Sequence, residues 1–544
     1  MNPNTPLFRK IAYLSAFVIL AIPAVWLGAP STRDNEGGRL AQIRSDARLG
    51  QADLGAIDPA SEAIRLATLG LRGIAVTMLW SKANDYKKTE DWTNFQATLD
   101  QLARLQPYFI EVWKYQAWNL SYNVSVEVDN VRDRFYYVKQ GIDYLKEGIE
   151  FNRDHPTLLD DLGWFCGNKV GRADEHTIYR QLFKQDEDLR YPGEPSTTDN
   201  WLVSKLWYQD AIESIDSGQY PMGTKNPTTF YDSPARSQIS YAEAIETEGV
   251  FGTRAKTAWE RGGELWEAYG TRQMPSTAEF LIALEDLDLW RQKAAEASEE
   301  LNALSPGLAE KMRQAAIDSF SDEQRRVWEA PPANPTPEES QLQMEVNDLT
   351  NITPDKIAKR IAHDQPEKAA EAQRLAKAVN DANERARLID TNRGVANYAY
   401  WKIRCDLEQT PEALEARELA HDAKRQFERE GNFVAGRELY ERSFDAWAAA
   451  LEQFPELDPT STTHSDLMDV IDEYVTLLKT LELSLADEEV ADQFPLWDVV
   501  KANDNSGQYA DAIAAYEARK SGRPAPMPES AGESLINPAD AIPQ

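Results

Sequence analysis

Apolar residues recur at helical spacing along most of the chain between about residues 58 and 500. Leu99, Leu102 and Leu105, for example, are three residues apart, so a helix would carry all three on one face. Alternating runs rich in Val, Ile and Thr, which are typical of strands, are scarce. The pattern therefore predicts an all-α fold.

The N-terminal region contains an uncharged apolar run. Ile11 to Ala29 is 19 residues long, close to the roughly 20 that a helix needs to cross a bilayer. Arg9 and Lys10 precede the run, which favours an N-terminus on the inner side. The alternative is a cleaved signal peptide, but Pro30 is unfavourable just after a cleavage site. We predict a single-pass transmembrane anchor, with the soluble part outside the cytoplasm in a compartment like the periplasm.

A repeat is visible in the first half of the chain. Ala83 and Ala117 lie 34 residues apart, and each has large residues at the same distance on either side. Gly163 is a third small residue in a similar setting, and Pro107 closes the first unit. These features, over Gly73 to about Gly171, resemble the tetratricopeptide-repeat-like superfamily, with weaker similarity at 237–270 and 411–455. The resemblance implies a solenoid of helical hairpins that binds proteins or peptides and carries out no chemistry of its own.

Composition shifts divide the rest of the chain. Ala330 to Pro337 is a proline-rich linker, and 281–322 and 366–388 are highly charged segments with narrow apolar stripes. The predicted organisation is a membrane anchor at 1–30, a tether at 31–57, tetratricopeptide-like repeats at 58–190, further helical hairpins at 191–275, a charged helical insertion with the linker at 276–390, C-terminal helical repeats at 391–500 and a mostly disordered tail at 501–544.

The segment from Leu102 to Asn123 is rich in aromatic residues. Trp113 falls on the internal face of the repeat and is interpreted as core, and Tyr108 and Phe109 at the preceding inter-repeat turn are also interpreted as core packing. The resemblance places a second set of side chains on the concave face, where they could contact a partner protein. These candidates are Trp80, Asn84, Lys114, Trp118, Asp160 and Trp164. The alternative is that another helix, such as 200–217, covers them.

Charge and cysteine content narrow the class of function. The chain of 544 residues has 58 basic and 90 acidic side chains, a net charge of −32, which argues against nucleic acid as a partner. Its two cysteines, Cys166 and Cys405, exclude a disulfide framework and a cysteine-rich zinc site. Two buried thiols are favoured over a single bridge.

Local motifs for catalysis or cofactor binding are missing. The sequence contains no phosphate-binding loop ending in Gly-Lys-Ser/Thr, no Gly-x-Ser-x-Gly elbow, and no pair of histidines four residues apart. We therefore predict no cofactor, no metal and no enzyme activity. The leading hypothesis is a membrane-anchored helical scaffold in the cell envelope that binds other proteins. The alternatives are a self-associating structural spacer that uses the charged segments, and an enzyme whose site is assembled from distant residues.

Overall fold

The structure is a computed structural model, and it describes residues 72–89, 91–278 and 280–521, together with residues 39 and 42. The anchor predicted at Ile11 to Ala29 lies outside the described residues. No helix within the described part combines the length and apolar character that crossing a bilayer requires. The described residues are mostly helical, which confirms the all-α class. Their one sheet consists of two short antiparallel strands, β1 (Met274–Pro275) and β2 (Leu281–Ile282).

The chain forms two compact units, Met1–Pro221 and Met222–Gln544. This boundary lies inside 191–275, which the sequence analysis treats as one group of hairpins. The helices of unit 1 are α1 (Arg72–Lys88), α2 (Trp92–Leu105), α3 (Ile110–Trp118), α4 (Val131–Asn152), α5 (Pro156–Trp164), α6 (His176–Gln185) and α7 (Asn200–Asp216). Two of them continue into π-helical turns, α3 into Asn119–Val124 and α5 into Phe165–Lys169.

In unit 1, α1 packs on α2 and α3 packs on α4, each on its neighbour in sequence, whereas α5 packs on α7, with α6 between them in the chain. Local signals set several helix starts: Asn130 caps α4 through the amide of Arg132, and Pro156 occupies the first turn of α5. Short polar caps of this kind satisfy amides that would otherwise lack a partner at the helix start.

Small residues allow these helices to approach closely. Ala83 and Ala117 are buried, and a Cβ on Gly148 would lie 2.8 Å from the Trp113 ring. Trp113 is only 2% exposed, and its indole nitrogen donates to the Pro107 carbonyl at 2.8 Å, so its prediction as a core residue is confirmed. The prediction of core packing for the next two aromatics is wrong, because the turn before α3 leaves the side chains exposed: Tyr108 by 38% and Phe109 by 39%.

The helices of unit 2 are α8 (Pro227–Tyr231), α9 (Ser233–Thr247), α10 (Thr253–Thr271), α11 (Leu287–Leu304), α12 (Leu308–Asp318), α13 (Asp322–Glu329), α14 (Pro337–Thr350), α15 (Pro354–Asp364), α16 (Ala369–Ala396), α17 (Tyr398–Glu408), α18 (Pro411–Arg425), α19 (Phe433–Glu452), α20 (Thr462–Thr480), α21 (Glu488–Ala491), α22 (Trp497–Asn503) and α23 (Ala510–Lys520). A π-helical turn, Gln426–Glu430, follows α18.

Unit 2 contains a long excursion of the chain. Helix α9 packs on α10, and the chain then leaves through α11–α16 and returns at α17, which packs on α10. The return is fixed by Trp266, whose indole nitrogen donates to the Tyr398 carbonyl at 3.0 Å and whose ring stacks on the Tyr398 ring. Within the excursion, the 28-residue α16 packs along α11 and α15.

The C-terminal helices extend the folded part beyond its predicted end. Residues 501–544 were expected to be mostly disordered, but α22 and α23 continue the packed structure as far as Lys520. Trp497 stacks on Tyr516 with ring centroids 4.5 Å apart, and Tyr509 is 5% exposed. These aromatic contacts supply the apolar burial that the sequence pattern alone does not reveal. Residues 522–544 lie outside the described part.

Candidate functional site

Two of the candidate tryptophans stand at equivalent places in neighbouring helices. Trp118 is the last residue of α3 and Trp164 is the last residue of α5, and a π-helical turn follows each. The side chain of Trp118 is 48% exposed and that of Trp164 is 47% exposed. Large aromatic residues are usually buried, so two half-exposed tryptophans on contacting helices mark a candidate binding surface.

Tyr122 joins the two tryptophans. Its ring stacks on the Trp118 ring with centroids 4.0 Å apart and planes inclined by 15°, and its hydroxyl accepts a hydrogen bond from the Trp164 indole nitrogen at 3.1 Å. We call these three residues the aromatic patch. The sequence analysis missed Tyr122, although its spacing of four residues from Trp118 would place both on one face of a helix.

The aromatic patch has a cationic edge. The Lys169 ammonium lies 4.5 Å from the centre of the Tyr122 ring, which is a cation–π distance. Burial lowers the pKa of Lys169 and raises the pKa of Tyr122. Beneath the patch, the buried Phe165 meets the Tyr122 ring edge-on. The rings therefore rest on the core on one side and are partly open to solvent on the other.

The other four candidates lie beside the patch or apart from it. Lys114 forms ion pairs with Asp161 at 3.7 Å and with Glu111 at 3.8 Å. The Trp80 ring makes an edge contact with the Tyr115 ring. Asn84 is exposed, and Asp160 is half-buried. The structure thus joins Trp118 and Trp164 through Tyr122, and it places Trp80 against Tyr115. Partner binding by all six residues stays a prediction.

The alternative prediction is that a helix near 200–217 covers the tryptophans. Helix α7 is that helix, and it packs on α5. Its contact is made by Tyr208 at Gly163 and by Trp201 at Gly167, where the glycines leave room for the rings. Trp201 is 5% exposed, so it is used for this packing. Helix α7 nevertheless leaves Trp164 half exposed.

A second candidate site, in unit 2, was not predicted from the sequence. It is a cavity of about 610 Å³ lined by residues of α9, α17, α18, α19 and α20. Among the lining residues Arg404, whose side chain is only 3% exposed, contacts Glu243 on α9 at 3.0 Å and Asp466 on α20 at 3.1 Å. One guanidinium therefore ties together helices from distant parts of the chain.

A second arginine, Arg417, also lines the cavity. Arg417 donates to Glu408 at 2.6 Å, with a second contact between the same two side chains, and its Nε lies 3.6 Å from Glu246. Burial raises the pKa of Glu246 to about 7. Burial would also raise the pKa of Glu408, but the attraction of Arg417 outweighs it and lowers that pKa. The two buried carboxyls therefore differ because Arg417 is paired mainly with one of them.

Neither site shows the features of a metal or thiol centre. The described residues contain no group of three or more His, Cys, Asp or Glu placed to hold a metal ion. Cys166 and Cys405 are both buried free thiols, and burial raises the pKa of each to about 12.

Comparison with known proteins adds no family to these observations. No family model matches the chain, and neither a curated protein nor a solved structure matches it. The resemblance to the tetratricopeptide-repeat-like superfamily stays a prediction.

Proposed function

We propose that the protein is a helical scaffold that binds another protein through the aromatic patch. The observation that carries the proposal is the pair of half-exposed tryptophans, Trp118 and Trp164, held in one orientation by Tyr122. Tryptophan and tyrosine supply large contact areas with few rotatable bonds, and they are enriched among residues that dominate binding energy. Because Tyr122 already orders the rings, little side-chain entropy would be lost on binding.

The patch favours a partner segment with an apolar side chain next to a carboxylate. Trp118 and Trp164 provide the apolar contact, and Lys169 provides a partly desolvated cation beside them. An approaching carboxylate would pair with that ammonium at low cost, because its desolvation has partly occurred in the free protein.

The proposed location is a membrane of the cell envelope, with residues Ile11 to Ala29 as the anchor and the two units on the outer side. A single anchor would hold the scaffold and its partner near the bilayer. In the alternative function, a self-associating spacer, the charged segments 281–322 and 366–388 would make the contact, and exposed apolar residues elsewhere in the insertion at 276–390 would add to it. Trp328 and Met344 are such residues, exposed by 40% and 66%.

The test uses the full-length chain extracted from its own membranes, in four forms: wild type, Trp118→Ala, Trp164→Ala and the control Trp328→Ala. The control removes the same side chain at similar exposure from unit 2. We expect a co-purifying protein to be lost from both patch variants, with affinity weakened by roughly 30-fold for about 2 kcal/mol, and to be retained by the control.

Melting temperature separates a binding defect from a folding defect. Trp118→Ala should cost about 1 kcal/mol of stability, since it removes one aromatic stack, whereas Trp113→Ala in the core should cost about 3–5 kcal/mol. If Trp118→Ala unfolds the protein as Trp113→Ala does, the patch is part of the core and the proposal is wrong. If only Trp328→Ala changes the sedimentation coefficient, the spacer function is supported instead.

A further inference from the structure

Arg404 and Arg417, which line the cavity in unit 2, are outnumbered by the carboxylates that contact them. Four carboxylates share two guanidiniums: Glu243, Glu408 and Asp466 contact Arg404, and Glu408 and Glu246 contact Arg417. We call these six residues the inner cluster. With all four carboxyls ionised the inner cluster has a net negative charge, and the charge on the two buried members, Glu246 and Glu408, is costly because they are removed from water.

Glu246 is the carboxylate with the weakest compensation. The residue is 6% exposed, so it is more than nine-tenths buried, and it lines the cavity. Its Oε1 accepts a hydrogen bond from the Trp259 indole nitrogen at 2.9 Å. Its Oε2 lies 3.6 Å from Arg417, beyond hydrogen-bond distance, because Glu408 holds that guanidinium at shorter range. One acceptor oxygen of a buried carboxylate is therefore left with room for a donor.

The other lysine and arginine side chains that line the cavity have carboxylate partners of their own or are exposed to water. Lys424 is paired with Glu473, and Arg425 is paired with Asp422 at 3.2 Å. Arg429 also lines the cavity, but it is exposed to water, where its charge is screened. The excess of negative charge is thus local to the inner cluster.

The remaining walls suit an alkyl chain. Leu467, Val470 and Phe251 line the cavity next to the charged residues. Its volume of about 610 Å³ is within the range of roughly 300–1,000 Å³ that small-molecule sites occupy. A metal ion would need three or more ligands converging on one point, and no such group occurs among the described residues.

We propose that this cavity binds an organic cation, a primary ammonium or a guanidinium on an alkyl chain, which donates a hydrogen bond to Glu246 Oε2 and packs its chain against Leu467 and Val470. The cation supplies the missing donor and balances the inner cluster. A charge-assisted hydrogen bond of this kind is about twice as strong as one between neutral groups. The same chemistry occurs in a free amine and in a lysine or arginine side chain of another protein.

Calorimetric titration of the full-length protein in detergent tests the proposal with three probes. Agmatine represents a free cation, the amide of N-acetyl-arginine represents a protein side chain, and the amide of N-acetyl-citrulline is its neutral analogue of the same shape. We expect agmatine to bind and the neutral analogue not to bind. Binding of the arginine probe as tightly as agmatine identifies a protein side chain as the ligand, and much weaker binding identifies a free amine.

Two variants locate the site. Glu246→Gln keeps an acceptor for Trp259 and removes the charge, and it should weaken agmatine binding at least tenfold. Glu415→Gln is the control, since Glu415 is exposed on α18 and does not line the cavity. Asp466→Asn, at a half-buried position of the same cluster, should also weaken binding, and it serves if Glu246→Gln does not fold. The proposal is overturned if neither cation binds, if the neutral analogue binds equally, or if Glu246→Gln and Asp466→Asn both bind as wild type does.

Discussion

Glu246→Gln should stabilise the protein at alkaline pH and have little effect near pH 5. Burial raises the pKa of Glu246 from its ordinary value of 4.5 to about 7 in the folded protein. Between these two values the folded state binds more protons at this group than the unfolded state does. The free energy of unfolding therefore falls as the pH rises from about 4.5 to about 7, and it stays lower above that range.

The size of the effect follows from the pKa difference. Each unit corresponds to about 1.4 kcal/mol, so ionised Glu246 costs the wild type up to about 3 kcal/mol at pH 8. Arg417, Glu408 and Glu243 surround this carboxyl and respond to its ionisation, so we expect a measured gain of about 1–3 kcal/mol for Glu246→Gln. At pH 5 the folded wild type already carries a neutral carboxyl, and the gain should be below about 1 kcal/mol.

Thermal melts of wild type, Glu246→Gln and Glu415→Gln at pH 5 and pH 8 measure this difference. For a folded unit of about 300 residues, about 1 kcal/mol shifts the melting temperature by roughly 1–2 °C, so the difference between the two pH values should be roughly 2–4 °C for Glu246→Gln. Glu415→Gln should show no such difference, because its side chain is 61% exposed. If Glu246→Gln destabilises the protein more at pH 8 than at pH 5, the ionised carboxylate is a stabilising partner of Arg417, and the argument from poor compensation is refuted.

Two further predictions concern packing. Gly270→Ala should lower stability by more than about 2 kcal/mol, because the added Cβ would overlap the buried Tyr398 hydroxyl. Gly394→Ala has open space at its Cβ and should raise stability by about 0.5–1 kcal/mol. Equal melting temperatures for the two variants would contradict this prediction. Cys166 and Cys405 should not react with a thiol reagent at pH 8 until the protein is unfolded, since burial raises both pKa values to about 12, and fast labelling of the native protein would show that either thiol is accessible.

The hydrophobic pattern predicts the helices well because each helix buries an apolar stripe. Ala83, Ala117 and Gly163 are the small residues of the predicted repeat. In the structure Ala83 and Ala117 are buried, and Gly163 lies directly against the Tyr208 ring. The pattern is less informative at helix ends. The repeat resemblance predicts core packing for Tyr108 and Phe109 at the inter-repeat turn, but the turn before α3 leaves both side chains exposed. A turn is set by a few backbone angles, and periodicity carries no information about them.

The two candidate sites differ in how much the sequence reveals. Trp118 and Trp164 hold the same position in the repeat that the sequence predicts, and in the structure each is the last residue of its helix. The inner cluster is assembled from α9, α17, α18 and α20, and more than 150 residues separate Glu243 from Arg404. A carboxylate in a charge-rich helix is indistinguishable in sequence from one on a solvated face. Glu246 is buried by contacts between distant segments, with Trp259 on α10 and Arg417 on α18, which its local sequence does not reveal.

The inner cluster is better explained as a determinant of which helix arrangement the chain adopts than as a source of stability. A buried ion pair gains little over well-packed apolar residues, because desolvation offsets most of the attraction, but a buried charge without its partner costs about 3–5 kcal/mol. Arg404 finds Glu243 and Asp466 only when α9, α17 and α20 are correctly placed after the long excursion through α11–α16. A return of α17 shifted by one turn would separate Arg404 from Glu243 and Asp466 and leave it only Glu408 of its own helix. The same contacts that fix the position of α17 bring more carboxylates than guanidiniums together beside the cavity. The proposed cation site is therefore a consequence of how α17 packs in the fold.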